Sequence, residues 1–467
     1  MKLSKFNIIS KYGEKLLVFN SLKGSLLCVN DRIDIKNLLN GNLSELNSNK
    51  LQTLIDNGIV VDDDLEDIMA QKKLFDYIYD NRLELVIMPT MQCNFRCVYC
   101  YEDFKMGSMS EDALKSLIKY LYRTLSRHSG LVIDWFGGEP LLALSQMEKI
   151  SEQAIKLCSY LKIPYYSYIT TNGYLLTPKN MQKLLKMHIY NIQITIDGNE
   201  EFHNKNRVLV NGEDTFKRII DNLTYIRDNI NNPALNISIR CNLSKSSLND
   251  IPNFMNQLND WFGKDKRFSF YFHPIENWGG NSIKHMQRDL LNGADLFFET
   301  LSKCKSKIEI RNDFKKLSLM PICNTSKINR FVIDPKLNIY KCSLYRNDPC
   351  NQIGKLENGK MILDEKKVAH WSFNIIENYE KCKNECQSYA NCFAKLCPYK
   401  MNERNSFKCM DNVSKISKIL ELDYKYSSEK YINIFSNNET AFLAIISIVS
   451  LIIFYIISKK IYLKKEY

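Results

Sequence analysis

Several things are missing from this 467-residue sequence. Its first twenty residues, MKLSKFNIISKYGEKLLVFN, contain no continuous apolar core, so they do not read as a secretory leader. A secreted disulfide framework would need one. The excess of 64 Lys and Arg over 52 Asp and Glu, a net charge of +12, is scattered and forms no stripe. No zinc-finger spacing or aromatic RNA-binding motif accompanies it, so no nucleic-acid partner is expected. Cysteine is the opposite case. There are 15, and seven of them fall between Cys323 and Cys397. In a chain without a leader, clustered cysteines point to metal or redox chemistry. An apolar fraction of 45% and a charged fraction of 25% leave ample core for two or three globular units at this length.

The pattern divides the chain. Residues 1–80 hold KLLVFNSLKGSLLCVN, which reads as a β-hairpin, followed by short helices, a Gly turn and a strand ending in acids. This predicts a small winged-helix-like module. Over 81–305, strands such as LELVIMPTM, LVIDWF and YYSYITT alternate with helical stretches, one of them with Ser110 as its N-cap. About six such units predict an α/β fold, a partial (β/α)6 TIM-like barrel whose site lies in the loops after the strands. Residues 306–414 are cysteine-rich and loop-rich, and 415–439 read as a linker. The stretch 440–458, TAFLAIISIVSLIIFYIIS, carries no charge. At about 1.5 Å per residue its 19 residues span roughly 28 Å, which predicts a transmembrane helix ahead of the basic tail 459–467.

The first barrel strand leads into PTMQCNFRCVYCYED, where Cys93, Cys97 and Cys100 form a C-x3-C-x2-C pattern. A tetrahedral zinc site would want a fourth nearby ligand, and His128, the only His in the following helix, is far along the chain. A [4Fe-4S] cluster takes four thiolates, one per iron. Three thiols would leave one iron open, and a bidentate amino-acid ligand fits that vacancy.

The pattern resembles the radical S-adenosylmethionine superfamily, over roughly residues 83–305. Tyr99 stands where the family has an aromatic residue before the last cysteine, which there lies against adenine. WFGGEPLL matches the family's Gly-Gly-Glu-Pro motif at Gly137, Gly138, Glu139 and Pro140. The resemblance implies that the glycines let backbone approach the S-adenosylmethionine amine and that Glu139 balances its charge. ITTNGYLL and ITIDGNEEFHNKNR also look like segments of relatives, with Thr195 as a candidate ribose contact. Asp197-Gly198 by itself reads as a turn. The implied chemistry is reductive cleavage of S-adenosylmethionine to a 5′-deoxyadenosyl radical, fed by an electron donor such as flavodoxin or ferredoxin.

The cysteine-rich region resembles the SPASM extension of such enzymes. That resemblance implies two auxiliary [4Fe-4S] clusters, the first on Cys323, Cys342 and Cys397, the second on Cys382, Cys386, Cys392 and Cys409. Cys350 is a candidate fourth ligand of the first. The central spacings are three, five and four residues where the family has two, five and three, and Leu337 replaces an expected glycine. Paired cysteines at short spacing also suit zinc.

SPASM enzymes act on peptides or proteins. The N-terminal module resembles the recognition element of peptide maturases, which adds an extended leader peptide to a sheet edge. The expected function is therefore modification of a ribosomally made precursor peptide, by a thioether or carbon–carbon crosslink or by epimerisation. The alternative is an anaerobic sulfatase-maturing enzyme that makes formylglycine. A membrane-tethered electron carrier is a third reading, against which the Gly-Gly-Glu-Pro segment argues. The catalytic part is expected in the cytoplasm, anchored to a membrane and coupled to an export transporter.

Overall fold

The computed structural model describes residues 1–62, 65–277, 282–291 and 323–377, with Ser417, Leu420, Glu421, 423–425 and 432–434. The predicted hairpin is present as β2 (Lys15–Asn20) and β3 (Ser25–Val29), with β1 (Asn7–Tyr12) antiparallel to β2. Three helices follow: α1 (Arg32–Asn40), α2 (Ser48–Asp56) and α3 (Glu66–Ile78). Asp31 caps α1, accepting from the N–H groups of Ile33 and Asp34, and Gly41 ends it in the left-handed region. Leu16, Val18, Leu27 and Val29 on one sheet face pack with Leu38 and Leu54 from the helices. The alternation of these residues with Leu17, Phe19 and Cys28, which serve the other face, is the period-2 rule of a strand.

Six parallel strands then follow in chain order: β4 (Leu83–Ile87), β5 (Leu131–Trp135), β6 (Tyr165–Thr171), β7 (Ile189–Thr195), β8 (Asn236–Leu243) and β9 (Phe268–Pro274). Each is paired in parallel with its predecessor, the succession a barrel-like sheet needs. Ser110 caps the first crossover helix, Glu111–Thr124, accepting from Ala113 N–H at 3.2 Å. The six strands are those predicted, on a partial-barrel sheet.

The two sheet faces differ. Leu85, Ile133, Trp135, Ile169, Ile194 and Ile239 turn outward into one apolar core with the helices. The inward residues are largely polar, among them Glu84, Asp134, Tyr168, Gln193, Ser238 and Arg240. An incomplete barrel does not need a packed apolar lumen, and this one keeps space there.

The sheet continues past the sixth unit. Strand β10 (Arg330–Ile333) pairs parallel with β4, and antiparallel strands at Asn338–Tyr340, Gln352–Glu357 and Lys360–Leu363 extend it to ten strands. The start of the cysteine-rich region is thus built onto the barrel's own sheet. Leu337 lies in the turn of this extension at φ +65°, in the left-handed region where a glycine would cost nothing. Asp334 holds the turn by accepting from the N–H groups of Lys336 at 2.8 Å and Asn338 at 3.0 Å.

The stretch 440–458 expected to span a membrane lies outside the described residues. Among the described residues, no helix is long and apolar enough to cross a membrane.

Candidate functional site

The three thiols follow β4 at the C-terminal end of the sheet, as expected. Phe95–Cys97 forms a short strand antiparallel to Arg207–Leu209, which pairs Cys97 with Arg207 and ties the cysteine loop to the segment after β7. Phe95 N–H donates to Cys93 Sγ at 3.3 Å. Burial pushes Cys93 and Cys100 up to about 12, with the Glu139 carboxylate adding to the effect at Cys93 and the Cys97 sulfur at Cys100. Burial raises Cys97 as well, opposed by Arg207. Among the described residues no three Cys, His, Asp or Glu side chains are gathered closely enough to hold a metal ion, so the three thiols share a loop without forming a closed ligand set. Bare, they stay protonated at neutral pH, and only a bound metal group would draw the protons off. Their partial burial and the N–H donor to Cys93 fit a thiolate-ligated cluster.

The Gly-Gly-Glu-Pro segment follows β5 and packs against the cysteine loop. A Cβ on Gly137, at φ +117°, would lie 2.5 Å from Thr90 O, and one on Gly138 would lie 2.3 Å from Gln92 O. Gly138 N–H donates to Thr90 O at 3.2 Å and Glu139 N–H to Gln92 O at 2.9 Å. The close approach that needs glycine is therefore to the backbone of the cysteine loop. Glu139 is fully buried. Its carboxylate accepts from Thr171 Oγ1 at 2.7 Å, Asn172 N–H at 2.7 Å and Leu141 N–H at 3.0 Å. Three of about four acceptor positions are thereby taken, so Glu139 braces the loops after β5 and β6 more than it awaits a ligand. Pro140, also buried, opens the turn that follows. Glu139→Ala would strand all three donors, each at about 1–3 kcal/mol. We expect a lower unfolding midpoint and a poor cluster yield from this variant, with Glu139→Gln much closer to wild type.

Tyr99 and Thr195 line a cavity of about 470 Å³ at this end of the barrel, with Arg207, Arg240, Asn242 and Ser343. Tyr99 Oη donates to Asp197 Oδ2, and receives from Arg207 Nη1 at 2.6 Å and Asn242 Nδ2 at 3.1 Å. Asp197 is fully buried, 4.0 Å from Arg207 Nη1, and accepts from Asn242 N–H at 3.0 Å. Burial raises its carboxyl, against Arg207. A relay behind the pair fixes it. Asp197 N–H donates to His203 Nδ1 at 3.2 Å, His203 Nε2 then donates to Thr215 Oγ1 at 3.0 Å, and Thr215 Oγ1 donates to Arg207 O at 2.6 Å. Burial keeps His203 neutral, which suits this tautomer. Buried Arg207 Nε has no hydrogen-bond partner among the described residues.

Sequence reasoning missed Asp197, Arg207, Asn242, Thr171 and Asn172. The segments holding the first two and the last two were noticed, but Asp197-Gly198 read as a turn and nothing local marks Arg207 or Asn242. A second connection was also missed. Glu102, just past Cys100, forms a buried ion pair with Arg346, four residues past Cys342. It joins the cysteine loop to the sheet extension. Cys342 is buried, with Leu344 N–H donating to its sulfur at 3.4 Å, whereas Cys323 and Cys350 are exposed. Cys382, Cys386, Cys392, Cys397 and Cys409 lie outside the described residues.

Three thiols in one loop at the strand ends of a partial α/β barrel, beside a polar cavity, are the parts from which a cluster-carrying barrel enzyme is built. Residues 87–257 match the family described as Radical SAM superfamily. The cysteine-type anaerobic sulfatase-maturating enzyme of Clostridium perfringens (strain 13 / Type A) is 24% identical over 375 residues, 74% of this chain and 94% of that protein. The radical SAM cyclopropyl synthase TigE of Paramaledivibacter caminithermalis is 26% identical over 193 residues, 38% of this chain and 39% of that one. Among solved structures, native anSMEcpe with bound AdoMet superimposes with a TM-score of 0.55 at 19% identity, covering 74% of this chain and 97% of that one. The chain carries a radical SAM domain and is an enzyme of that kind, one that uses a [4Fe-4S] cluster and S-adenosylmethionine.

Proposed function

We propose that this enzyme modifies a ribosomally made precursor peptide, forming a thioether or carbon–carbon crosslink or epimerising a residue. Cys93, Cys97 and Cys100 would hold the cluster. When bound, the cluster with S-adenosylmethionine supplies a hydrogen-abstracting 5′-deoxyadenosyl radical. The chain's own residues do the placing. Arg207, Tyr99 and Thr195 wall the cavity, and the Glu139 brace holds the glycine segment under the cysteine loop. The polar lumen suits a substrate with backbone amides to satisfy. Cys323 and Cys342, with Cys397, and separately Cys382, Cys386, Cys392 and Cys409, remain the proposed ligands of auxiliary clusters.

The observation that carries the peptide reading is the N-terminal unit, three antiparallel strands followed by three helices, whose sheet accepts an added strand along the outer edge of β3, occupied in this structure by Ile432–Ile434. We read it as the winged-helix-like recognition element. The C. perfringens enzyme is matched over 94% of its length yet accounts for only 74% of this chain, which leaves room for an added recognition unit. That same near-complete match favours the second reading, formylglycine formation on a sulfatase.

The test is anaerobic reconstitution of the full chain and measurement of 5′-deoxyadenosine, with a Cys93/Cys97/Cys100→Ala variant expected at background. Short peptides encoded beside the gene and a Cys-containing sulfatase peptide would then be offered side by side. A crosslinked or epimerised peptide supports the main reading, and formylglycine on the sulfatase peptide would replace it. The uncharged stretch 440–458 is read as an anchor, and a full-length chain recovered wholly in the soluble fraction would end that part.

A further inference from the structure

The N-terminal sheet is completed by residues from the far end of the sequence. Ile432–Ile434 runs parallel to β3, pairing Ile432 with Leu27, Asn433 with Cys28 and Ile434 with Val29. Asn30 N–H donates to Ile434 O at 3.3 Å. Helical residues upstream cover the sheet's second face, where Leu420 and Tyr424 pack on Ile8, Leu17, Phe19 and Cys28. Lys15 Nζ donates to Tyr424 Oη at 2.9 Å, and the Tyr12 and Tyr424 rings meet edge-on at 5.5 Å.

The two contacts differ in kind. Leu420 is fully buried and Tyr424 nearly so, which makes the helical part a firm anchor. Among the described residues the strand part pairs three and buries one side chain, Ile434, at 5% exposure among Leu16, Val18, Leu27 and Val29, while Ile432 is 41% exposed. Without it, the outer edge of β3 would show a row of unpaired N–H and C=O groups, a ready template for another strand. Three paired residues satisfy that edge weakly, so a longer segment with the same pattern would displace them at little cost.

We propose that the outer edge of β3 is the docking edge for the peptide substrate, and that Ile432–Ile434 is a tethered stand-in which the substrate displaces. This rests on the peptide reading given above. The occupant fits an extended segment running parallel to β3, with an aliphatic side chain at the place of Ile434 and tolerance two residues before it. The anchor at 420–425 holds the stand-in close, at an effective concentration of about millimolar for so short a tether. The intact chain therefore binds substrate more weakly than a chain whose stand-in cannot pair.

The probe is a labelled peptide with the chain's own residues 429–437, EKYINIFSN, titrated into the full-length chain. Ile434→Asp puts a carboxylate into the apolar pocket and releases the edge. This variant should bind the probe at least tenfold more tightly than wild type, and a probe with Asp at the same place should not bind. Amide exchange at 26–30 should be faster in the variant and slow again with probe. Equal binding to both chains, or no binding to a variant whose edge exchanges freely, would overturn the proposal. If Ile434→Asp folds poorly, Ile434→Ala should still show a severalfold gain, and no gain would count equally against it. Basal cleavage of S-adenosylmethionine separates the failures. Cleavage without docking removes only the edge proposal, whereas docking with no peptide modified by either chain removes the peptide reading.

Discussion

Gly138→Ala should leave a folded protein that cannot hold its cluster. The added Cβ would sit 2.3 Å from Gln92 O and 2.5 Å from Met91 O, distances no Cβ tolerates. Neither neighbour is a flexible side chain that could swing away. Both are backbone of the loop that leads directly into Cys93. The strain, about 1–3 kcal/mol in a packed interior, is relieved by moving that loop, and the thiols move with it. A misplacement of about 1 Å at a reacting centre can cost about a hundredfold in rate, and a cluster is less forgiving because every ligand must reach it. We expect iron content and the visible cluster absorbance to fall to a small fraction of wild type, with 5′-deoxyadenosine formation down by about a hundredfold or more. The control is Gly107→Ala in the same loop region, where a Cβ meets nothing within 4 Å; it should be silent. Normal iron loading in Gly138→Ala would refute this account of the glycine pair.

Arg207→Met should be the most destabilising single change at the site. The Arg207 and Asp197 side chains are 8% and 0% exposed, so removing the guanidinium leaves a carboxylate in the interior with only Tyr99 and the Asn242 N–H to support it. Breaking a buried pair from one side costs about 3–5 kcal/mol. The loss should be read as a lower denaturant midpoint at unchanged slope. Adding Asp197→Asn removes the stranded charge, so the double variant should recover part of the stability lost by Arg207→Met. Additive losses would mean that the two residues act independently. Neither variant is expected to bind S-adenosylmethionine well, because Arg207 also pairs its strand with Cys97 and faces the cavity.

Both predictions concern contacts between segments far apart in the chain, and that is where the sequence stopped being legible. The cysteine pattern, the alternating β-α units and the Ser110 cap are local signals, and each lies where it was expected. The glycine pair was noticed for its need of close approach, and the structure shows one such neighbour, the backbone of the cysteine loop. Sequence spacing shows that something must come near Gly138; it does not say that the something is Gln92. Glu139 is similar. Its carboxylate reads from the sequence as a countercharge for a ligand, and the fold adds hydrogen bonds from Thr171 and Asn172, from the next strand's loop.

The sequence alone therefore decided the succession of strands and helices and the placement of three thiols after the first barrel strand. Those follow from period-2 and period-3.6 patterning and from thiol count, which are properties of short windows. Only the tertiary structure decided which buried charges meet: Arg207 with Asp197 and Tyr99, and Glu102 with Arg346. It alone also brought Ile432–Ile434 to the edge of a strand some four hundred residues earlier. Such pairings depend on where crossovers return the chain in space, and a buried charge or an open sheet edge takes whichever complementary partner the folded sheet brings beside it.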